Sequence, residues 1–180
     1  MHEKRFEGDI ARLRNPERIA RLDVERVLSL CLEHANFKSA LDIGTGTGVF
    51  AEGFAKRGVS VYGVDVNSKM LPAARMYVPA AFFSAATAER LPYEDARFDL
   101  VFMGLLLHES DEQVQVLREA QRVARIRVGI LEWVYREEDF GAPLEHRLSP
   151  DSMLKMSKQA GFSKIEEIPL TKLIFYRLTP

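Results

Sequence analysis

Three glycines at alternate positions follow an apolar segment that contains one acid. Residues 40–48 read Ala-Leu-Asp-Ile-Gly-Thr-Gly-Thr-Gly, so Asp42 lies in a buried strand and the turn after it contains Gly44, Gly46 and Gly48. Glycines in such a turn leave the backbone open to a ligand. A second apolar segment ends at Asp65, nineteen residues after Gly46. Strand, glycine turn, helix, strand and acid is the arrangement with which α/β folds bind an adenosine-bearing cofactor.

Two kinds of adenosine cofactor fit this turn. Gly46, Gly48 and Ala51 match the dinucleotide pattern G-x-G-x-x-[GA], and Asp65 is near the spacing of a ribose-binding acid. The carboxylate of Asp42 opposes that interpretation, because it would repel a doubly anionic pyrophosphate. The same carboxylate suits a ligand that carries an ammonium group and a sulfonium charge. We therefore favour a cationic, phosphate-free nucleoside, and an NAD(P)-dependent oxidoreductase is the alternative.

Helical and strand patterns alternate along the chain. A helix is expected over 16–35, and strands are expected at 39–43, 59–64, 81–85, 98–102 and 128–131. A capping box beginning at Ser110 predicts the start of a further helix. The last two strand segments, 165–168 and 173–178, lie too close together for a crossover helix and should pair antiparallel. We predict an α/β fold with a doubly wound, mostly parallel seven-stranded sheet and an antiparallel hairpin at its C-terminal edge.

The composition is typical of a soluble globular domain. The chain has 180 residues, 47% of them apolar and 28% charged, and its formal net charge is −1. That charge favours neither a nucleic-acid nor a membrane partner, and the longest uncharged apolar run, residues 100–107, is too short to cross a bilayer. The single cysteine, Cys31, excludes a site of several thiolates, so no metal is predicted. No apolar stretch follows the N-terminus, and we expect a cytoplasmic protein.

Four blocks of the sequence resemble the class I S-adenosylmethionine-dependent methyltransferases. In order they are residues 41–48, 62–70, 88–93 and 98–102. Residues 12–18, 107–109 and 143–147 are similar to small bacterial methyltransferases of the type-11 group. The resemblance implies a Rossmann-like fold in a single domain, residues 1–180. Its parts are an N-terminal helical cap (1–35), a cofactor-binding core (36–134) and a substrate-side loop, helix and edge hairpin (135–180).

The resemblance also implies which residues bind S-adenosylmethionine. The methionine part would contact Asp42 and the turn of Gly44, Thr45, Gly46 and Gly48. Asp65 would accept both ribose hydroxyls. The adenine would contact Val66, Met70, Thr87 and Ala88, although many relatives have an acid where this chain has Thr87. Met103 is also predicted to bind the cofactor.

A second group of residues is predicted to face the acceptor. His108 follows strand four at the edge where this architecture opens its pocket, and a neutral imidazole there could act as a base. The alternative is a core histidine bonded to backbone. Glu132 and Trp133 end strand five at the same rim, and Glu132 either orients a substrate or pairs with an arginine. His146 and Arg147 belong either to a lid or to an exposed charge cluster.

These residues predict an S-adenosylmethionine-dependent methyltransferase that moves a methyl group to a small-molecule acceptor by in-line displacement. Apolar residues beside the site favour an uncharged or aromatic acceptor, namely Met103, Leu105, Leu106 and Trp133. The alternatives are the oxidoreductase and a cofactor-binding protein without catalysis. The sequence specifies neither the acceptor nor the oligomeric state.

Overall fold

Seven strands form one sheet in the computed structural model, which describes residues 10–180. The strands are β1 (Ser39–Ile43), β2 (Ser60–Asp65), β3 (Phe82–Ala85), β4 (Phe98–Gly104), β5 (Ala124–Trp133), β6 (Lys164–Pro169) and β7 (Leu173–Thr179). The helices of these residues are α1 (Ile10–Leu13), α2 (Pro16–Arg21), α3 (Val24–Leu32), α4 (Val49–Lys56), α5 (Leu71–Tyr77), α6 (Gln113–Val123) and α7 (Pro150–Ala160). Two single 3₁₀ turns cover Leu107–Glu109 and Leu144–His146.

The strand order is β3-β2-β1-β4-β5-β7-β6. Strands β1 to β5 are parallel, and β7 lies antiparallel between β5 and β6. After β1 the chain winds outward to β3 and then returns to the other side of β1, so the winding direction reverses between β1 and β4. Ligands bind beyond the carboxyl ends of the strands at such a reversal. The predicted fold class, with its antiparallel hairpin at the C-terminal edge, is confirmed.

Side chains of β1 alternate between two apolar cores on opposite faces of the sheet. Leu41 and Ile43 belong to the core that α6 and α7 cover, whereas Ala40 belongs to the core under α3 and α4. The period of two places Asp42 on the same face as Ala40, and Asp42 is only 2% exposed. A carboxylate buried at a strand end is costly, so its position here points to a ligand site.

Two local predictions are wrong. The helix expected over 16–35 is divided into α2 and α3, because Asp23 between them has a φ of 47°. The capping box at Ser110 is not formed, since α6 begins only at Gln113. The Ser110 hydroxyl instead accepts from the Glu112 N–H at 3.1 Å and donates to Glu89 at 3.2 Å.

An arginine of β5 binds the end of α3. The Arg127 guanidinium donates to the carbonyls of Cys31 at 2.6 Å and Glu33 at 2.9 Å, and it lies 4.9 Å from the centre of the Phe37 ring. The last carbonyls of a helix lack partners within the helix, and a cation is favourable there. Arg127 therefore holds α3 against the sheet.

Part of the expected N-terminal cap, residues 1–9, lies outside the described residues. In the described part, α1, α2 and α3 precede β1. Within residues 10–180, no helix has both the length and the apolar character that a membrane crossing requires.

Candidate functional site

A cavity of about 700 Å³ opens beyond the carboxyl ends of β1 and β4. Its walls come from the glycine turn, the end of β2, residues 86–89, residues 104–110, the segment 12–22 and residues 140–146. The volume lies within the range of small-molecule sites, roughly 300–1,000 Å³. The cavity is thus at the reversal point of the sheet, where this architecture binds ligands.

The glycine turn forms the floor of this cavity. Gly44 and Gly46 have φ angles of 70° and 53°, a conformation that L side chains rarely adopt. A Cβ atom at Gly44 would lie 2.8 Å from Leu106 Cδ1, and one at Gly46 would lie 3.3 Å from Leu13 Cδ1. The backbone conformation therefore favours glycine at both positions, and the bare backbone lines the cavity.

Asp65, at the end of β2, ties this turn to the neighbouring strand. Its Oδ2 accepts from the Gly46 N–H at 2.8 Å, and its Oδ1 accepts from the Asn67 N–H at 2.8 Å. Burial raises the pKa of Asp65, and the two backbone hydrogen bonds oppose that rise. Each carboxylate oxygen keeps acceptor capacity towards the cavity, so the pair can receive two neighbouring hydroxyls.

Asp42 places a second carboxylate in the cavity wall. Its Oδ2 accepts from the Thr45 hydroxyl at 2.8 Å, and burial raises the pKa of Asp42 to about 7 despite that bond. Neither Asp42 nor Asp65 forms a salt bridge within residues 10–180. Two uncompensated carboxylates disfavour a pyrophosphate and favour a ligand with positive charge.

Four further residues predicted to bind the cofactor also line the cavity, namely Val66, Met70, Thr87 and Ala88. Val66 follows the ribose-side acid directly and is 49% exposed, so it offers an apolar surface to a planar base. Gly48 and Met103 do not line the cavity. Gly48 precedes α4 with a φ of 76°, and Met103 is fully buried in the core.

Residues 41–128 match the model of the family described as "Methyltransferase domain", Methyltransf_11. Over this segment the chain is similar to type-11 methyltransferase domains. The segment contains Asp42, the glycine turn and Asp65, and the cofactor of its class is S-adenosylmethionine. The class I resemblance is thereby confirmed.

Two named methyltransferases are similar to about half of this chain. Demethylmenaquinone methyltransferase of Chlorobaculum tepidum is 34% identical over 95 residues, which cover 52% of this chain and 39% of that protein. A malonyl-[acyl-carrier protein] O-methyltransferase of Hamiltonella defensa is 34% identical over 85 residues, 47% of this chain and 33% of that protein. The chain spans less than half the length of these relatives.

A solved structure extends the likeness to the whole fold. A S-adenosylmethionine-dependent methyltransferase of Aquifex aeolicus superposes with a TM-score of 0.80 at 23% identity, covering 96% of this chain and 98% of that one. At this identity the likeness shows the shared fold. The edge hairpin and the helices outside the matched segment therefore belong to the same architecture.

Residues 10–22, called the cap segment below, cover the glycine turn of the methyltransferase domain. Arg14 donates to the Thr47 carbonyl at 2.6 Å, to the Thr47 hydroxyl at 3.3 Å and to Glu52 at 2.5 Å. Its guanidinium also stacks 3.5 Å from the centre of the Tyr77 ring. With Leu13 above Gly46, these contacts hold the cap segment over the cofactor side of the cavity.

Arginines of the cap segment reach the same cavity and were not predicted as site residues. They are Arg12, Arg18 and Arg21. Arg18 donates to the Leu13 carbonyl at 3.1 Å, and burial together with the charge of Arg12 lowers the pKa of Arg18. The sequence indicated only a helical cap for this segment. The signal for a closer role was the resemblance of residues 12–18 to the type-11 group.

One part of the cavity wall is aromatic. Trp133, Phe140 and His146 line the cavity, and the first two rings pack edge to face with centroids 5.8 Å apart. Arg147 does not line it. Its guanidinium instead donates, at distances between 2.6 and 3.0 Å, to the carbonyls of Val134, Arg136, Phe140 and Ala142. Arg147 therefore holds the backbone of this loop together without lining the cavity.

His108 and Glu132 meet at the ends of two neighbouring strands. The turn that holds His108 follows β4, and Glu132 lies near the end of β5. His108 Nδ1 lies 2.7 Å from Glu132 Oε2, and the His108 backbone N–H donates to Glu132 Oε1 at 3.2 Å. His108 lines the cavity, whereas Glu132 is 1% exposed and lies behind it. The alternatives of a backbone partner for the imidazole and an arginine partner for Glu132 are both wrong.

The carboxylates around His108 make its imidazole more basic. Burial alone lowers the pKa of His108, but the charge and hydrogen bond of Glu132 and the charge of Glu109 outweigh burial, so this pKa is raised. Glu109 Oε1 lies 4.0 Å from His108 Nε2. Since Nδ1 donates to Glu132, a neutral ring has its lone pair on Nε2.

Proposed function

We propose that this protein transfers a methyl group from S-adenosylmethionine to a small-molecule acceptor by in-line displacement. The observation that carries the proposal is the pair of carboxylates, Asp42 and Asp65, on either side of the bare Gly44–Gly46 backbone. They combine a negative environment with two acceptors for a vicinal diol, which suits a cationic nucleoside. Asp42 also argues against the oxidoreductase alternative, because a pyrophosphate would lie close to its charge.

The residues of the cavity fit this cofactor in three regions. Asp42, Thr45 and the glycine turn would hold the methionine part, and Asp65 would hold the ribose. The adenine region is formed by Val66, Met70, Thr87 and Ala88. When bound, the cofactor supplies a methyl group that the sulfonium has already activated. The work of the protein is to align the acceptor about 3 Å from that carbon and to exclude water. The cap segment serves the second purpose.

The acceptor would lie between Trp133, His108 and His146. The apolar and aromatic character of this side supports a small uncharged or aromatic molecule. The names of two relatives, a demethylmenaquinone methyltransferase and a malonyl-[acyl-carrier protein] O-methyltransferase, state the substrates of those proteins. Neither substrate is assigned to this chain. The net charge of −1 supports an acceptor that is not a nucleic acid.

Calorimetry with S-adenosylhomocysteine and with NADH tests the cofactor. We expect micromolar binding of the first and none of the second, and an Asp65→Ala variant should lose the first. Tight binding of NADH without binding of S-adenosylhomocysteine would contradict the proposal. Transfer is then measured with labelled S-adenosylmethionine against a broad panel of metabolites. Cofactor binding without transfer to any of them would favour the non-catalytic alternative.

A further inference from the structure

We infer that His108 and Glu132 form a proton-accepting pair, and that the acceptor presents to it an acidic hydroxyl group, that of a phenol or an enol. This inference rests on the proposed methyl transfer and names the substrate class of the same site. His108 is the group that would touch the acceptor. Glu132 is a positioning residue, because it is buried behind the imidazole and does not line the cavity.

Both oxygens of Glu132 bind the same residue. One receives the imidazole Nδ1–H and the other receives the backbone N–H of His108, so the carboxylate fixes the ring and its backbone together. The tautomer is thereby set, with Nδ1 protonated and the lone pair on Nε2, the nitrogen that Glu132 does not bind. A base held by a second group in this way is the usual arrangement for proton abstraction.

Charged groups approach His108 from three parts of the fold. Glu132 comes from β5, and Glu109 belongs to the same turn as His108. Arg147 opposes them from the loop after β5. Two carboxylates against one nearby guanidinium leave the imidazole a stronger base than a free histidine. His108 lines the cavity, and its side chain keeps an exposed fraction of 7%.

The raised pKa of the His108 imidazole determines which nucleophiles it can help to deprotonate. A carboxylic acid, with a pKa of about 4, is already ionised and needs no base. An aliphatic hydroxyl gives up its proton to imidazole much less readily than a phenol, whose pKa is about 10. In the step, the acceptor oxygen forms a bond to the methyl carbon as the carbon–sulfur bond breaks, and that electron pair stays on sulfur. The hydroxyl proton goes to His108 Nε2 and then to water. The edge-to-face rings of Trp133 and Phe140 suit a planar acceptor.

Nitrogen-15 NMR of the histidine rings tests the pair without an acceptor. In the complex with S-adenosylhomocysteine, His108, assigned with a His108→Gln variant, should show a protonated Nδ1 and a pKa above 6.5. Glu132→Gln should bring that pKa to or below about 6.5, and Glu132→Asp should restore part of the rise. Glu94→Gln, an exposed change, is the control and should leave it unaltered. An unchanged pKa in folded Glu132→Gln would overturn the positioning role.

Matched aromatic compounds test the acceptor class with labelled S-adenosylmethionine. Each scaffold is offered as the phenol, the aniline, the carboxylic acid and the benzylic alcohol, and a set of enols is added. We expect transfer to phenols or enols, a rate that rises with pH to a plateau above the His108 pKa, and a loss of about 100-fold or more in His108→Gln. That variant keeps an amide N–H for Glu132.

Three outcomes count against the inference while the proposed function stands. They are preferred transfer to anilines, acids or alcohols, equal rates in wild type and His108→Gln, and no transfer to any phenol or enol by protein that binds S-adenosylhomocysteine. If S-adenosylhomocysteine does not bind at all, the proposed function fails as well. The two failures are therefore distinguishable.

Discussion

The carboxylate of Asp65 accepts a hydrogen bond from the Gly46 N–H, so the end of β2 is joined to the turn after β1. The second oxygen of Asp65 binds Asn67, and the carboxylate therefore has the same fixed orientation before any ligand arrives. A diol meets acceptors that are already in place, which reduces the cost of ordering the site. The two parts of the adenosine motif thus act as one unit.

Asp65→Asn should weaken S-adenosylhomocysteine binding roughly 10- to 100-fold, the usual effect of losing a hydrogen bond to a charged group. The amide can accept at only one of its two ends, so a backbone N–H and a ligand hydroxyl lose a partner. Calorimetry measures the change. Asp23→Asn, at an exposed position whose left-handed conformation asparagine tolerates, is the matched control. Equal affinity in Asp65→Asn and wild type would remove Asp65 from the ribose site.

Asp42 should make the free protein less stable as pH rises. Its pKa is about 7 in the folded chain against 3.8 ordinarily, so between these values the folded state holds a proton that the unfolded state has lost. The free energy of unfolding contributed by this group therefore falls through that range. Asp42→Asn should melt higher than wild type at pH 8 and bind S-adenosylhomocysteine more weakly.

The difference in melting temperature between Asp42→Asn and wild type should close as pH falls below 3.8, where Asp42 is protonated in both states. Thermal unfolding across this range, without ligand, checks the sign. A variant that melts below wild type at pH 8 would show that burial of the charge does not limit stability. Gain of stability with loss of binding is the usual behaviour of a residue retained for a ligand.

Arg14→Met should loosen the cap segment without altering the carboxylates of the cavity. It removes the bonds to Thr47 and Glu52, so amide exchange in residues 10–22 should quicken. Dissociation of S-adenosylhomocysteine should quicken in parallel. Arg26→Met, at an exposed position of α3 that does not line the cavity, is the control. If exchange quickens while the dissociation rate stays constant, the cap segment does not retain the cofactor.

Arg127→Met should lower the free energy of unfolding by about 1–3 kcal/mol, because carbonyls at the end of α3 lose their partners in a buried place. Urea unfolding gives the value. Arg26→Met, at an exposed position of α3, should change it by less than about 0.5 kcal/mol. Similar losses in the two variants would mean that the guanidinium does not hold α3 to the sheet.

Arg147→Gln should quicken amide exchange in residues 134–146 and leave S-adenosylhomocysteine affinity within about twofold. An amide cannot bind the four carbonyls that the guanidinium reaches at once. Arg136→Gln, in the same loop, is the control for loss of charge. A large loss of cofactor affinity in Arg147→Gln alone would show that the loop also supports the cofactor side.

The local features of the site could be predicted from the sequence, whereas its long-range pairs of residues could not. Strand, glycine turn and acid are contiguous patterns, which explains why the floor of the cavity and the fold class could be predicted. The partner of His108 is 24 residues away. Its identity depends on the register of β4 with β5, to which the pattern of apolar residues gives no guide.

The partners of Arg147 could not be predicted from the sequence either. Charged neighbours in a polar loop indicate exposure, yet its partners are carbonyl groups whose positions depend on the path of the loop backbone. Every residue except proline offers the same main-chain donor and acceptor, so no residue type marks such partners. The capping box at Ser110 fails for a related reason, because its hydroxyl has a long-range partner, Glu89, as well as a local one.

The contacts of Arg147 also bear on how such a protein diversifies. All four of its partners in the loop are main-chain oxygens, which every amino acid provides. Side chains that face the acceptor from this loop can therefore be exchanged over generations while the scaffold beneath them persists. Because one guanidinium holds the backbone of the loop, substitutions in the loop could change the acceptor without impairing the folding of the domain that binds the methyl donor.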